Sequence, residues 1–170
     1  MPLSRHGPLY AKQRARQVEL LPFFYSTQFL NSVVAVGATV TQSININSDS
    51  HFVVRYFAVT TYTSPGVQVF AGLSALTINF FDTGSGRTLF DNAQAIQNVC
   101  GGVAAGIGNG AMPFILPEPW LIRAGGSVQV TIGNLGTQAA SGGGLTFPRV
   151  DVSMPGIKAF RFGGGGPAEL

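Results

Sequence analysis

Apolar and polar residues alternate along several short stretches of this chain, which is the pattern of β-strands that bury one face. The clearest stretch is 117–132, where Trp120 and Ile122 fall on one face because side chains alternate along a strand. Gly125-Gly126 lies between two such runs and can supply the positive φ that a two-residue hairpin turn requires. The sequence therefore predicts strand, tight turn, strand, with one face on a core.

The same alternation recurs in residues 39–46 and 76–81. The stretch 52–62 is apolar or aromatic at almost every position, which predicts either a central strand covered on both sides or a face that lies at a subunit contact. Aromatic residues between 18 and 30 favour an extended segment, and Pro22 keeps that segment away from the centre of a sheet.

The last strands are predicted at 145–147, 150–152 and 157–162, and residues 91–99 predict one or two turns of helix capped by Asp91. No helical pattern of ordinary length occurs elsewhere in the domain, and turn residues separate the strands. We therefore predict an all-β protein, namely a jelly-roll-like β-sandwich with an extended basic N-terminal arm.

Three parts are expected: an extended arm over residues 1–32, a β-sandwich domain over 33–162 and a Gly-rich tail over 163–170. Only 10% of the residues are charged, against about 25% in an average soluble domain. Because monomers rarely expose large apolar patches, this composition indicates a surface that contacts partners.

The net charge of +3 is concentrated near the N-terminus, ahead of the first acidic residue, Glu19. The basic residues of this segment are Arg5, Lys12, Arg14 and Arg16. A basic arm can bind nucleic acid, an acidic protein surface or lipid headgroups. These four residues are the predicted partner-binding residues.

The sequence offers little chemistry, and we predict no catalytic residue, metal site or cofactor. Asp49-Ser50-His51 has the residue types of a nucleophile triad, but three adjacent residues cannot bring their side chains together as a triad requires. Cys100 is the single cysteine, so no disulfide forms within the chain. The uncharged stretch 20–48 is interrupted by Pro22 and polar residues, and it fails as a membrane span.

An uncharged, Gly-rich all-β sequence with a basic N-terminal arm resembles the virion structural proteins of tailed bacteriophages, and most of all the capsid decoration (cement) proteins. The segments that carry this resemblance are 52–62, 76–87 and 117–134. It covers roughly residues 33–160 and rests on composition and pattern, because no diagnostic motif is present.

The resemblance implies a non-enzymatic protein that is made in the host cytoplasm and sits on the capsid surface. It implies self-association as a dimer or trimer, and bridging of neighbouring subunits through contacts with the major capsid protein or another virion protein. Neither a small-molecule substrate nor a membrane is expected, and the arm is expected to meet protein rather than nucleic acid. Two alternatives stay open: a phage tail, baseplate or head–tail connector component, and a carbohydrate-binding β-sandwich module.

Overall fold

The computed structural model describes residues 18–64, 67–68, 76–100, 113–134 and 145–161 of the chain. Within these ranges the backbone forms ten strands and one short helix. The elements are β1 (Val18–Val34), β2 (Thr39–Asn45), β3 (His51–Ser64), β4 (Val67–Gln68), β5 (Leu76–Asp82), β6 (Arg87–Thr88), β7 (Gln94–Ala95), α1 (Ile96–Val99), β8 (Phe114–Ile122), β9 (Ser127–Asn134) and β10 (Leu145–Arg161). The prediction of an all-β protein is confirmed.

The strands form two antiparallel five-stranded sheets. Sheet A has the order β1-β10-β3, and both β4 and β8 pair with the far side of β3. Sheet B has the order β2-β9-β5, and both β6 and β7 pair with the far side of β5. The prediction that Pro22 keeps its segment away from the centre of a sheet is confirmed, because β1 lies at the end of sheet A among the described strands.

The core lies between the two sheets and is built from the inward residue of each alternating pair. On β9, Val128, Val130 and Ile132 are fully buried, as the alternation predicts. Phe57 of β3 and Phe80 of β5 meet across the interface with ring centroids 4.1 Å apart, and neither side chain is exposed. The two sheets therefore pack face to face as a sandwich.

The turn at Gly125 has the predicted positive φ, at 73°, but the predicted hairpin is wrong. β8 pairs with β3 in sheet A, whereas β9 pairs with β2 and β5 in sheet B. The turn instead joins the two sheets. The connection between β2 and β3 holds it in place, because Gly125 N–H donates to the Asn47 carbonyl (3.2 Å) and Ile46 N–H donates to the Gly126 carbonyl (2.9 Å).

The central strand β3 contains a β-bulge. Phe52 and Val54 point into the core and so does Phe57, which leaves both Arg55 and Tyr56 exposed between them. The pairing of β3 with β10 and with β8 shifts at this point. A bulge of this kind redirects side chains, and here it turns two consecutive residues toward the outer face of sheet A.

Three predicted boundaries differ from the structure. The segment 18–32, predicted as part of the arm, lies in β1, where it pairs with β10. The three short C-terminal strands are one 17-residue strand, β10, because its pairing with β1 continues past Pro155. The helix begins at Ile96, without a side-chain cap, because Gln94-Ala95 pairs with β5 instead. Residues 1–17, 101–112 and 162–170 lie outside the described part of the chain.

Candidate binding surface

The outer face of sheet B is largely polar. Thr41, Thr131 and Asn79 form one row across β2, β9 and β5, and the hydroxyl oxygens of the two threonines lie 2.9 Å apart. The neighbouring row contains Ser43 and Gln129 and ends at the half-buried Phe81. An antiparallel sheet with one face on the core and the other in water has this character.

The outer face of sheet A is apolar over the half nearest the N-terminal end of β1. Pro22, Ile157, Val53 and Leu121 lie in register across β1, β10, β3 and β8. Beside this row lie three exposed side chains, Phe24 (66% exposed), Tyr56 (37%) and Ile115 (73%). We call these seven residues the outer apolar face, and they contrast with the polar face of sheet B.

A groove with a volume of about 430 Å³ runs across this face. Its lining consists of Pro22, Phe23, Phe24, Arg55, Tyr56, Ser153, Pro155 and Gly156. The bulge of β3 supplies Arg55 and Tyr56, so the irregular pairing creates the groove. Aromatic rings and prolines form most of the lining, and the Arg55 guanidinium and the hydroxyls of Tyr56 and Ser153 provide the polar groups.

Arg55 is the one charged residue in this lining. At the opposite end of the same face, Arg149 forms a bidentate ion pair with Asp151. Arg55 is exposed, and within the described ranges it makes no hydrogen bond or ion pair. A partner that offers a carboxylate or another hydrogen-bond acceptor over the groove would pair with it.

The N-terminal half of β1 exposes apolar side chains on both of its faces. Leu20 and Phe24 project to the outer side, with 60% and 66% of each side chain exposed, and Leu21 and Phe23 project to the other side at 46% and 42%. The ammonium of the buried Lys158 lies over the Phe23 ring, 4.0 Å from its centroid. This cation–π contact holds the ring in place while leaving much of it in solvent.

The side chains that could support catalysis either take part in other hydrogen bonds or are buried. The Ser50 hydroxyl donates to the Asp49 carboxylate (2.8 Å), whereas His51 Nδ1 accepts the Ala124 N–H (3.0 Å), so these three residues do not converge. Burial raises the pKa of the Cys100 thiol above its ordinary value, which disfavours the reactive thiolate. Within the described ranges no three His, Cys, Asp or Glu residues form a group that could hold a metal ion.

Asp82 is also occupied, although it is buried. Its carboxylate accepts the Gly84 N–H (2.9 Å) and the Ser85 hydroxyl (2.6 Å) in the turn that follows β5. The buried carboxylate is therefore satisfied by its own turn, which is the ordinary structural use of Asp after a strand.

The predicted partner-binding residues Arg5, Lys12, Arg14 and Arg16 lie outside the described residues, so their role stays a prediction. The sequence analysis did not identify the outer apolar face as a whole. One signal was available, the stretch 52–62, which is apolar at positions facing both ways. The other members of the face come from three separate strands, and their alignment depends on register.

No helix in the described ranges is long and apolar enough to cross a membrane. Searches among protein families, curated proteins and solved structures found nothing that matches this chain.

Proposed function

We propose that this chain is a non-enzymatic structural protein of a virion, which decorates and stabilises a capsid by packing its outer apolar face against neighbouring capsid subunits. The observation that carries the proposal is the difference between the two sheets. Sheet B presents a largely polar outer face, whereas sheet A presents aligned apolar side chains and the Arg55 guanidinium, which has no partner within the described residues. An exposed apolar face adds no stability to a free monomer, whereas a subunit of an assembly buries that face against its neighbour.

We also propose that the sandwich is a jelly roll. The strand pairs are nested, with β1 beside β10, β2 beside β9, β3 beside β8, and β5 beside β6 and β7. This nesting supports a jelly roll, in which one long folded hairpin supplies both sheets. Jelly rolls occur in viral capsid proteins and in lectins, so the fold is compatible with two functions and fixes neither.

The proposed contact is suited to a repeating shell. Each copy contributes a modest apolar patch, and copies that engage several sites on one particle gain affinity through effective concentration. Arg55 is expected to pair with an acidic group of the capsid protein, which orients the contact. The basic residues of segment 1–17 remain the predicted second attachment, to an acidic surface.

The test uses virions purified from the source of this sequence. Ile115→Asp and Leu121→Asp each place a carboxylate on the outer apolar face, and Thr131→Asp is the matched control on sheet B. Loss of a buried aliphatic side chain costs about 1.5–3 kcal/mol, so we expect each outer-face variant to bind stripped particles at least about 10-fold more weakly. The control should bind like the original chain. Circular dichroism verifies that all three variants are folded.

Two results would contradict the proposal. The chain could be absent from purified virions by mass spectrometry, or the outer-face variants could bind stripped particles as well as the Thr131→Asp control does. Removal of residues 1–16 examines the predicted arm separately: attachment should weaken while the domain stays folded.

A carbohydrate-binding module is the second candidate, and the groove favours it. Phe24 and Tyr56 offer exposed rings on which a sugar can stack, and Arg55 and Ser153 offer hydrogen bonds to hydroxyl groups. If this function is correct, a glycan array shows binding by the original chain, and Tyr56→Ala weakens it about 3- to 10-fold, while Thr41→Ala on sheet B does not. Absence of any binding by the original chain removes this candidate.

A further inference from the structure

We infer that the N-terminal half of β1, residues 18–25, pairs with the same strand of a second copy of this chain, so that two A sheets become one continuous sheet across a two-fold axis. We call this segment the β1 edge. The inference is independent of the capsid proposal, because it concerns contacts between copies of this chain, although the β1 edge shares Pro22 and Phe24 with the outer apolar face.

One side of β1 is an open strand edge within the described part of the chain. β1 terminates sheet A: it pairs with β10 on one side, and no described strand lies on the other. A strand in this position presents unpaired N–H and C=O groups that can hydrogen-bond to another strand. The strand has 17 residues, which at about 3.3 Å per residue makes it roughly 56 Å long. Pro22 removes only one donor from this edge.

Both faces of the β1 edge expose apolar side chains. A flat partner docked on the outer apolar face would cover Leu20 and Phe24 but would leave Leu21 and Phe23 in solvent on the opposite side. A strand added alongside places its own side chains on both faces, with Cβ atoms roughly 4.5–5.5 Å from their neighbours. Lateral pairing would therefore cover all four of these exposed side chains at once.

A second copy of the same strand fits this edge, because self-pairing need not bring like charges together. Within β1 the only charged residue is Glu19. An antiparallel self-pairing therefore opposes like charges only when the two-fold axis falls on Glu19 itself, and any register centred further along the strand is free of repulsion. The pairing is also mutual, because residues 18–25 of each copy cover the same residues of the other.

The experiment is a cysteine scan of the full-length chain. Cys100 is the only cysteine of the chain and is buried, so one introduced cysteine reports one position. The variants are Leu20→Cys, Leu21→Cys, Pro22→Cys, Phe23→Cys, Phe24→Cys and Tyr25→Cys, with Leu121→Cys and Thr131→Cys as controls on the outer faces of sheets A and B. Each protein is oxidised with copper phenanthroline and its disulfide-linked dimer is quantified. Light scattering gives the mass of the original chain under the same conditions.

A disulfide requires Cα atoms about 4.4–6.8 Å apart. In an antiparallel self-pairing, each step of one residue away from the axis separates the two equivalent positions by about 6.6 Å along the strand, twice the rise per residue. We therefore expect one sharp maximum within the β1 edge, at least ten times the cross-linking of Thr131→Cys, and a dimer by light scattering.

Two outcomes overturn the inference: a monomer with no cross-link at any position of β1, or a dimer that cross-links at Leu121→Cys and not in β1. The second outcome would place self-association on the outer apolar face. No virion is present in this assay, so its failure leaves the capsid proposal standing, and failure of virion binding leaves the dimer standing.

Discussion

Replacing Phe57 by alanine is expected to lower the free energy of unfolding by about 4 kcal/mol, because removal of a fully buried Phe loses transfer energy and leaves a cavity. Phe57 has no exposed surface and lies at the middle of the interface between the sheets. Its ring is 4.1 Å from that of Phe80 and 6.3 Å from that of Trp120, centroid to centroid. The cavity would therefore open where both sheets contribute side chains, and neither sheet can close it alone.

Urea unfolding followed by circular dichroism measures this loss. The matched control is Tyr56→Ala, the preceding residue on the same strand, whose side chain points outward and is 37% exposed. We expect the control to cost less than about 1 kcal/mol. The double variant Phe57→Ala/Phe80→Ala should show a coupling energy of about 0.5–1.5 kcal/mol, the usual strength of an aromatic pair. Equal losses for Phe57→Ala and Tyr56→Ala would contradict the placement of the bulge.

The core positions could be predicted from sequence because they depend on a local pattern. Side chains alternate with period two along a strand, so Trp120 and Ile122 point inward and Val128, Val130 and Ile132 follow suit after the turn. Nothing beyond the neighbouring residues is needed for that inference. The core-facing positions are therefore predicted correctly, even though the predicted pairing of the two strands is wrong.

The assignment of strands to sheets could not be predicted, because it depends on distant residues. A glycine with positive φ between two alternating runs is compatible with a hairpin within one sheet, and equally with a turn that joins two sheets. The distinction comes from the connection that contains Asn47, which bonds to the turn and holds it across the edge of the sandwich. The binding surface was hidden for the same reason, since its row of apolar residues spans four strands whose registers are set by long-range pairing.

The bulge shows how the candidate binding surface departs from the local pattern. A strict alternation after Val54 would have placed Tyr56 in the core, whereas the structure exposes Tyr56 and buries Phe57. Arg55 was the one polar residue in an otherwise apolar stretch of β3, and that interruption was the only local sign. Departures from alternation are expected where a site must be presented, because stability alone does not require them.

Gly156→Ala is expected to destabilise the protein by about 3 kcal/mol or more, at the upper end of the cost of overpacking. A Cβ atom at this position would stand 2.8 Å from Phe52 Cζ and would overlap sterically with the Val53 carbonyl oxygen. The second contact is with backbone, so it can be relieved only if β10 moves away from β3. Gly156 is thus needed for close approach of two strands.

The comparison variant is Gly133→Ala, also within a sheet. There the new Cβ would meet the Thr77 hydroxyl at 2.7 Å and a Thr39 methyl at 3.3 Å. Both are side-chain atoms that can rotate, so we expect a loss of about 1 kcal/mol, the lower end of the same range. Thermal unfolding of the two variants checks the order. A smaller loss for Gly156→Ala than for Gly133→Ala would contradict the close packing of β10 on β3.

Gly156 also connects the core to the proposed surface. Ile157 and Val53 belong to the outer apolar face and pair with one another next to Gly156, which itself lines the groove. If β10 shifts away from β3, their alignment is lost together with stability. We therefore expect Gly156→Ala, at temperatures where it remains folded, to weaken virion binding at least as much as Leu121→Asp does. Cross-linking through the β1 edge should persist, because β1 pairs with β10 and moves with it.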